Sequence, residues 1–141
     1  QDRRATEGPR ALASMERLDP ACERWFPAAP LLAGRVGCAA ATLRCEDGLE
    51  YVFVCGGSDG AAAMVSMERY DPREDAWAEA PPMSVPRLGH AAVVVDNRLY
   101  AIAGSDGKEP LGTFECFDPL LGMWGPALPA FALPPPSVDD I

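Results

Sequence analysis

Two arginines stand in the same local frame: Arg35-Val36-Gly37 and Arg87-Leu88-Gly89, 52 residues apart, each just ahead of an apolar run. A guanidinium presents five N–H donors in a rigid planar fork, which suits a carboxylate or backbone carbonyls. Two roles are open to Arg35 and Arg87: holding a bound partner, or bonding the carbonyls of neighbouring loops. Ser66, with Ser14 and Thr113 at the equivalent places, heads a strand beside a glycine turn. Its hydroxyl either contacts a partner or is solvated at the strand start. Asp59 and Asp106 lie in Ser-Asp-Gly turns, where a carboxylate accepts from backbone N–H groups. Glu16, Glu68 and Glu115 recur once per repeat, as catalytic residues seldom do, and are assigned a structural strand-to-turn role.

His90 is the only histidine, so no second imidazole is at hand for a metal centre. No nucleophile elbow marks a Ser-His-Asp arrangement. The five cysteines show no pair at the two-residue spacing of a zinc or redox motif. Cys38, Cys55 and Cys116 fall inside apolar strand-like runs, where a free thiol behaves as a small buried hydrophobe. These residues describe a chain that is not an enzyme and needs no metal or cofactor.

What positions them is a repeat. Glu16, Asp19, Pro20 and Trp25 recur as Glu68, Asp71, Pro72 and Trp77, 52 residues on, and as Glu115, Asp118, Pro119 and Trp124, a further 47. A period of about 50 residues belongs to architectures in which each unit leaves an apolar face for its neighbour to cover. Each unit reads as four short strands. Residues 38–43 and 51–55 are continuous apolar runs, as in strands buried on both faces. Residues 65–70 alternate Val65, Met67 and Arg69 with Ser66, Glu68 and Tyr70, and Trp77 marks the fourth strand with an indole large enough to cover a seam. The next unit repeats the scheme at residues 90–95, 99–103, 113–117 and Trp124. Gly56-Gly57 ends the second strand of the first unit, where close backbone approach and positive φ are needed, and Ala103-Gly104 replaces it in the second. The insertion around Glu46, Asp47 and Glu50 explains the change of period and belongs in an exposed loop.

The net charge of −9, from 12 basic and 21 acidic residues, argues against a general nucleic-acid binder. No apolar run reaches the roughly 18–20 residues of a membrane span. The Gln-Asp-Arg-Arg start lacks the apolar segment of a signal peptide, so the expected localisation is cytoplasmic. Fifteen prolines and thirteen glycines in a chain that is 48% hydrophobic describe short strands and tight turns. Residues 125–141, with Pro126, Pro129, Pro134, Pro135 and Pro136, read as a semi-extended tail.

The ordered set of Gly56-Gly57-Ser58-Asp59-Gly60, Tyr70-Asp71-Pro72 and Trp77, then Arg87-Leu88-Gly89-His90, resembles the kelch repeat over roughly residues 14–130. The departures are Leu18 and Phe117 at the place of Tyr70, Cys38 at that of His90, and Ala103. The resemblance implies an all-β fold, a kelch-type β-propeller fragment of four-stranded antiparallel blades. Residues 1–33 would form the outer half of an incomplete repeat, 34–83 and 84–130 two complete repeats, and 131–141 a Pro-rich C-terminal tail. It further implies a non-catalytic protein-interaction module, most like the substrate-recognition part of a BTB-kelch adaptor for a cullin-based ubiquitin ligase. A protein or peptide substrate would dock on the loop face, with Arg35, Arg87 and Ser66 at the rim of a shallow bowl, while a separate BTB domain contacts the cullin. Two alternatives stay open: a cytoskeletal scaffold, since kelch propellers also bind actin, and a truncated isoform that self-associates through open blade edges.

Overall fold

A computed structural model describes residues 10–130, so the readings made for residues 1–9 and 131–141 lie outside the described residues. Strands β1 (Met15–Asp19) and β2 (Arg24–Ala28) form a hairpin. Strands β3 (Ala39–Arg44), β4 (Glu50–Cys55), β5 (Met67–Asp71) and β6 (Ala76–Ala80) make an antiparallel meander in chain order. Strands β7 (Ala91–Val95), β8 (Arg98–Ile102), β9 (Thr113–Asp118) and β10 (Met123–Trp124) make a second one. The short β11 (Leu128–Pro129) extends its outer edge, pairing with Phe114 and Thr113 of β9. The repeat pattern stops at Trp124, yet the chain returns to β9 because Cys116 O accepts the Gly125 N–H and Gly112 O that of Ala130, both at 2.8 Å.

The Asp-Pro turns close the outer strand pairs by one device. The carboxylates of Asp19, Asp71 and Asp118 accept the N–H two residues on, from Ala21 at 2.9 Å, Arg73 at 3.0 Å and Leu120 at 2.9 Å, while the proline presets φ. Between β7 and β8 the two-residue turn Asp96-Asn97 has φ of 48° and 56°, the left-handed pair that matches hairpin twist. Asn97 has a second task that its place in a turn does not announce. Its amide bonds both the N–H and the C=O of Arg44, at 2.9 and 2.8 Å, pinning this turn to the end of β3.

Strand alternation puts the core in the seam between the meanders. Leu43, Phe53, Cys55 and Met67 of one face Leu99, Ala101 and Phe117 of the other, all buried, with the Phe53 and Phe117 rings 5.6 Å apart. Burying a leucine, phenylalanine or methionine side chain contributes about 1.5–3 kcal/mol. The register sets Tyr70 opposite Trp77 and Phe117 opposite Trp124, with ring centroids 5.1 and 5.4 Å apart. Each indole N–H reaches the preceding unit, from Trp77 to Ala29 O and from Trp124 to Pro81 O, both at 2.8 Å.

Two burial expectations change. Val93 and Val95 of β7 are 43% and 52% exposed, because among the described residues no sheet stands beyond the last meander, while Val94, on the Leu99 face, is 39% exposed. Cys38 is exposed and Cys116 half-buried, since β3 begins at Ala39 and Cys116 faces that open side.

Candidate interaction face

The connections at residues 29–38 and 81–90 and the loops at 56–66 and 103–112 emerge at one end of the sheets and knit into a continuous floor. Val36 and Ser58 exchange backbone bonds of 2.9 and 2.8 Å, and Leu88 and Ser105 exchange two of 2.9 Å. Across the seam, the Gly57 N–H donates to Arg87 O at 2.7 Å and that of Gly89 to Gly37 O at 2.8 Å. Asp59 accepts the N–H groups of Ala61 and Ala62, and Asp106 those of Lys108 and Glu109, all at 2.8 Å. These backbone donors hold both carboxyls below their ordinary pKa.

Beneath this floor lie the two arginines. The five N–H donors of Arg87 are all occupied: Nε and Nη2 on Glu115 Oε2 at 3.2 Å, Nη1 on the carbonyls of Ala103 and Thr113 at 3.1 and 2.9 Å, and Nη2 on Thr113 Oγ1 at 2.9 Å. Arg35 repeats the scheme with Glu68 Oε2 at 3.0 and 2.8 Å and the carbonyls of Gly56 and Ser66 at 3.0 and 2.9 Å. Arg87 is 0% and Arg35 6% exposed. The placement of Arg35 and Arg87 at a partner-contacting rim is therefore corrected. They take the other role, as staples between incoming loop and glycine turn, because a buried guanidinium must bond every carbonyl within reach.

The same correction applies to Ser66. Its Oγ is buried and has no hydrogen-bond partner, so it is neither solvated nor on a rim. Only at Thr113 does the equivalent hydroxyl receive the arginine. Glu68 and Glu115 are the carboxylates these staples need. Each also accepts loop N–H groups, from Leu32 at 2.6 Å and Ala33 at 3.2 Å, and from Ser84 at 2.8 Å. Their recurrence with the arginines, at separations of 33 and 28 residues, was the available signal for the pairing.

His90 is buried beside the axis-facing strand starts, with Nε2 3.4 Å from Cys55 Sγ and Nδ1 without a partner. Burial first, and the neighbouring Arg87 second, lower its pKa, while Glu115 opposes them. Burial pushes the Cys55 thiol up to about 12, so it is no nucleophile. The folded chain thus holds His90 neutral, whereas the unfolded chain protonates it near pH 6.5. Stability from this group is full above that value and falls as pH drops through it. The thermal midpoint is expected to fall between about pH 7.5 and 5.5, and the fall to flatten in His90→Gln, measured by circular dichroism melts.

What the face presents outward is mostly small side chains with a few charges. Val36, Gly37 and Cys38 are exposed beside Gly60, Ala61 and Ala62 of one loop and Gly107, Lys108 and Glu109 of the other. A cleft of about 300 Å³ lies between Ala61–Ala63, Leu88 and Lys108. Of these outward residues Ala61, Ala62, Lys108 and Glu109 were not singled out in the sequence, because they do not recur between repeats. Among the described residues no group of three His, Cys, Asp or Glu is placed to hold a metal ion. The arrangement can seat a side chain and pair a carboxylate with Lys108.

Stacked four-stranded antiparallel meanders, each sealed by an outer-strand tryptophan on its predecessor, define a segment of a β-propeller. The solved structure of YjhT superposes on 84% of the chain and 52% of its own length with a TM-score of 0.63, at 14% identity, which supports the fold. The Kelch motif matches residues 49–84 and 86–124, and the chain belongs to the kelch family. It is 32% identical over 109 residues to Kelch repeat-containing protein kel-10 of Caenorhabditis elegans, covering 77% of this chain and 19% of that protein. It is 32% identical over 99 residues to Kelch repeat and BTB domain-containing protein 8 of Danio rerio (67% and 16%) and 34% identical over 93 residues to human Kelch-like protein 33 (66% and 16%). The chain thus spans less than a fifth of the length of these curated relatives. Kelch repeats are a protein-interaction module, and that much holds for this chain.

Proposed function

We propose that the chain supplies part of the substrate-recognition propeller of a BTB-kelch adaptor for a cullin-based ubiquitin ligase, working in the cytoplasm without catalysis of its own. The observation that carries this is the combination of kelch repeats with relatives whose names include a BTB domain. Cysteines that are all free agree with a reducing compartment. Recognition then means positioning. The arginine staples make the loops rigid, and the non-recurring residues Ala61, Ala62, Lys108 and Glu109 supply the contacts.

The test is affinity capture from cell lysate with quantitative mass spectrometry, comparing the native chain with an Ala62→Arg, Lys108→Glu double variant. Both positions are exposed, so folding is expected to survive. Loss of short-lived regulatory proteins only from the variant is the expected result. An unchanged partner set, or recovery dominated by actin, would overturn the reading.

A further inference from the structure

The two seams of this chain differ at one place, where a carboxylate, a hydroxyl and an N–H of the first seam have no counterpart in the second. Between hairpin and first meander, Asp75 Oδ1 accepts the Ala29 N–H at 2.9 Å and the Tyr70 hydroxyl at 2.6 Å. The Ala29 N–H first and the Tyr70 hydroxyl second lower the pKa of Asp75, and Arg17 lies near enough to add to this without an ion pair. Between the two meanders, the counterparts counted from the tryptophan are Pro81, Phe117 and Gly122. The N–H, the hydroxyl and the carboxylate have thus gone together, while the arginine has stayed as Arg69.

At that place the surface opens into a cleft of about 220 Å³ whose walls include Arg69, Phe53, Phe117, Pro81, Leu121 and Gly122. Arg69 is half-buried, its guanidinium stands 4.5 Å over the Tyr51 ring, and it forms no ion pair among the described residues. The lip is apolar. Leu120 and Leu121, 57% and 71% exposed, replace the Arg73 and Glu74 of the preceding turn. Glu46 and Glu79 also line the cleft, but both are exposed and solvated. They disfavour a run of acidic residues and leave room for a single carboxylate.

We propose that this cleft docks a partner peptide in which one Asp or Glu is flanked by apolar side chains. The carboxylate takes the place that Asp75 fills in the other seam, against the Arg69 fork, and the apolar neighbours cover Leu120 and Leu121. The turn that bounds the cleft lies at the opposite end of the strands from the loop face. The proposal therefore goes beyond the reading above and stands without it.

The experiment is a titration of the ¹⁵N-labelled chain with a capped heptapeptide carrying a central aspartate between leucines, and with its asparagine counterpart. Amide shifts at Leu121 and Gly122 and at the Arg69 Nε–H are expected, with the asparagine peptide binding at least about tenfold more weakly, a loss near 1.4 kcal/mol. Arg69→Gln should erase that discrimination. Gly122→Asp should block the aspartate peptide by supplying the carboxylate internally. That variant is compatible with the backbone, since Asp75 already occupies the equivalent position at φ 49° and Gly122 has φ 66°. Equal binding of the two peptides, unaltered affinity in Gly122→Asp, shifts confined to Ala62 and Lys108, or no response to either peptide would each overturn the proposal.

Discussion

Replacing Glu115 with alanine is expected to destabilise the chain by about 3–5 kcal/mol, a large share of the roughly 5–15 kcal/mol available to a domain. The carboxylate is 0% exposed and receives Nε and Nη2 of Arg87, which is equally buried. Removing it leaves a cation with no counter-charge and takes the acceptor from the Ser84 N–H and hydroxyl, at 2.8 and 3.1 Å. The more telling variant is the double replacement Glu115→Leu, Arg87→Met. Where a buried ion pair bonds only itself, an apolar exchange of this kind is often neutral. Here Arg87 also serves the carbonyl of Ala103 and Glu115 the Ser84 N–H, so the double variant orphans these backbone groups at about 1–3 kcal/mol each and should recover little, although Thr113 O keeps the Ala103 N–H. Urea midpoints at unchanged m-value measure both. A double variant as stable as the parent would mean that the staple is dispensable.

That outcome bears on how the fold was legible. The Glu, Asp-Pro and Trp frame located the outer strand pairs, because a turn that caps its own backbone and an indole that seals a seam need those residue types at those offsets. The role of Arg35 and Arg87 did not follow from type, since an arginine is mostly exposed and only its pairing shows otherwise. The signal lay in the change of Arg to Glu separation from 33 to 28 residues, which follows the shorter turn at Asp96-Asn97 and puts both ends in one sheet. Burial of β7 was misjudged for a different reason. An apolar run reports what a complete ring would cover, and Val93 and Val95 have no such neighbour among the described residues. Strand β11 was missed because a proline argues against a strand, although at a sheet edge its missing N–H costs nothing. The exposed loop residues Ala62 and Lys108 stayed hidden because a reading built on recurrence discards what does not recur.

Recurrence also fails usefully at the glycine turn, where alanine in place of glycine is expected to cost several times more in one meander than in the other. A Cβ on Gly56 would fall 2.3 Å from Arg87 O and 2.8 Å from His90 Cε1, at a φ of 67°. The carbonyl belongs to the stapled loop and cannot retreat without breaking the Gly57 to Arg87 bond of 2.7 Å. Overpacking of about 1–3 kcal/mol and left-handed strain of about 1–2 kcal/mol therefore combine, and Gly56→Ala is expected to cost about 2–5 kcal/mol. At the corresponding place the chain already carries Ala103, at φ 57°. No described sheet stands where Arg87 and His90 stand against Gly56, so the methyl meets no facing loop and only the backbone strain remains. Ala103→Gly should relieve that strain, less the greater freedom glycine has in the unfolded chain, for a net gain of about 0.5–1 kcal/mol. A loss in Gly56→Ala several times larger than the gain in Ala103→Gly, measured in denaturant melts, would locate the difference in the neighbouring sheet. If Gly56→Ala were as mild as a surface change, the glycine turn would be a matter of backbone conformation alone, and the close approach of loop to turn would have no energetic consequence.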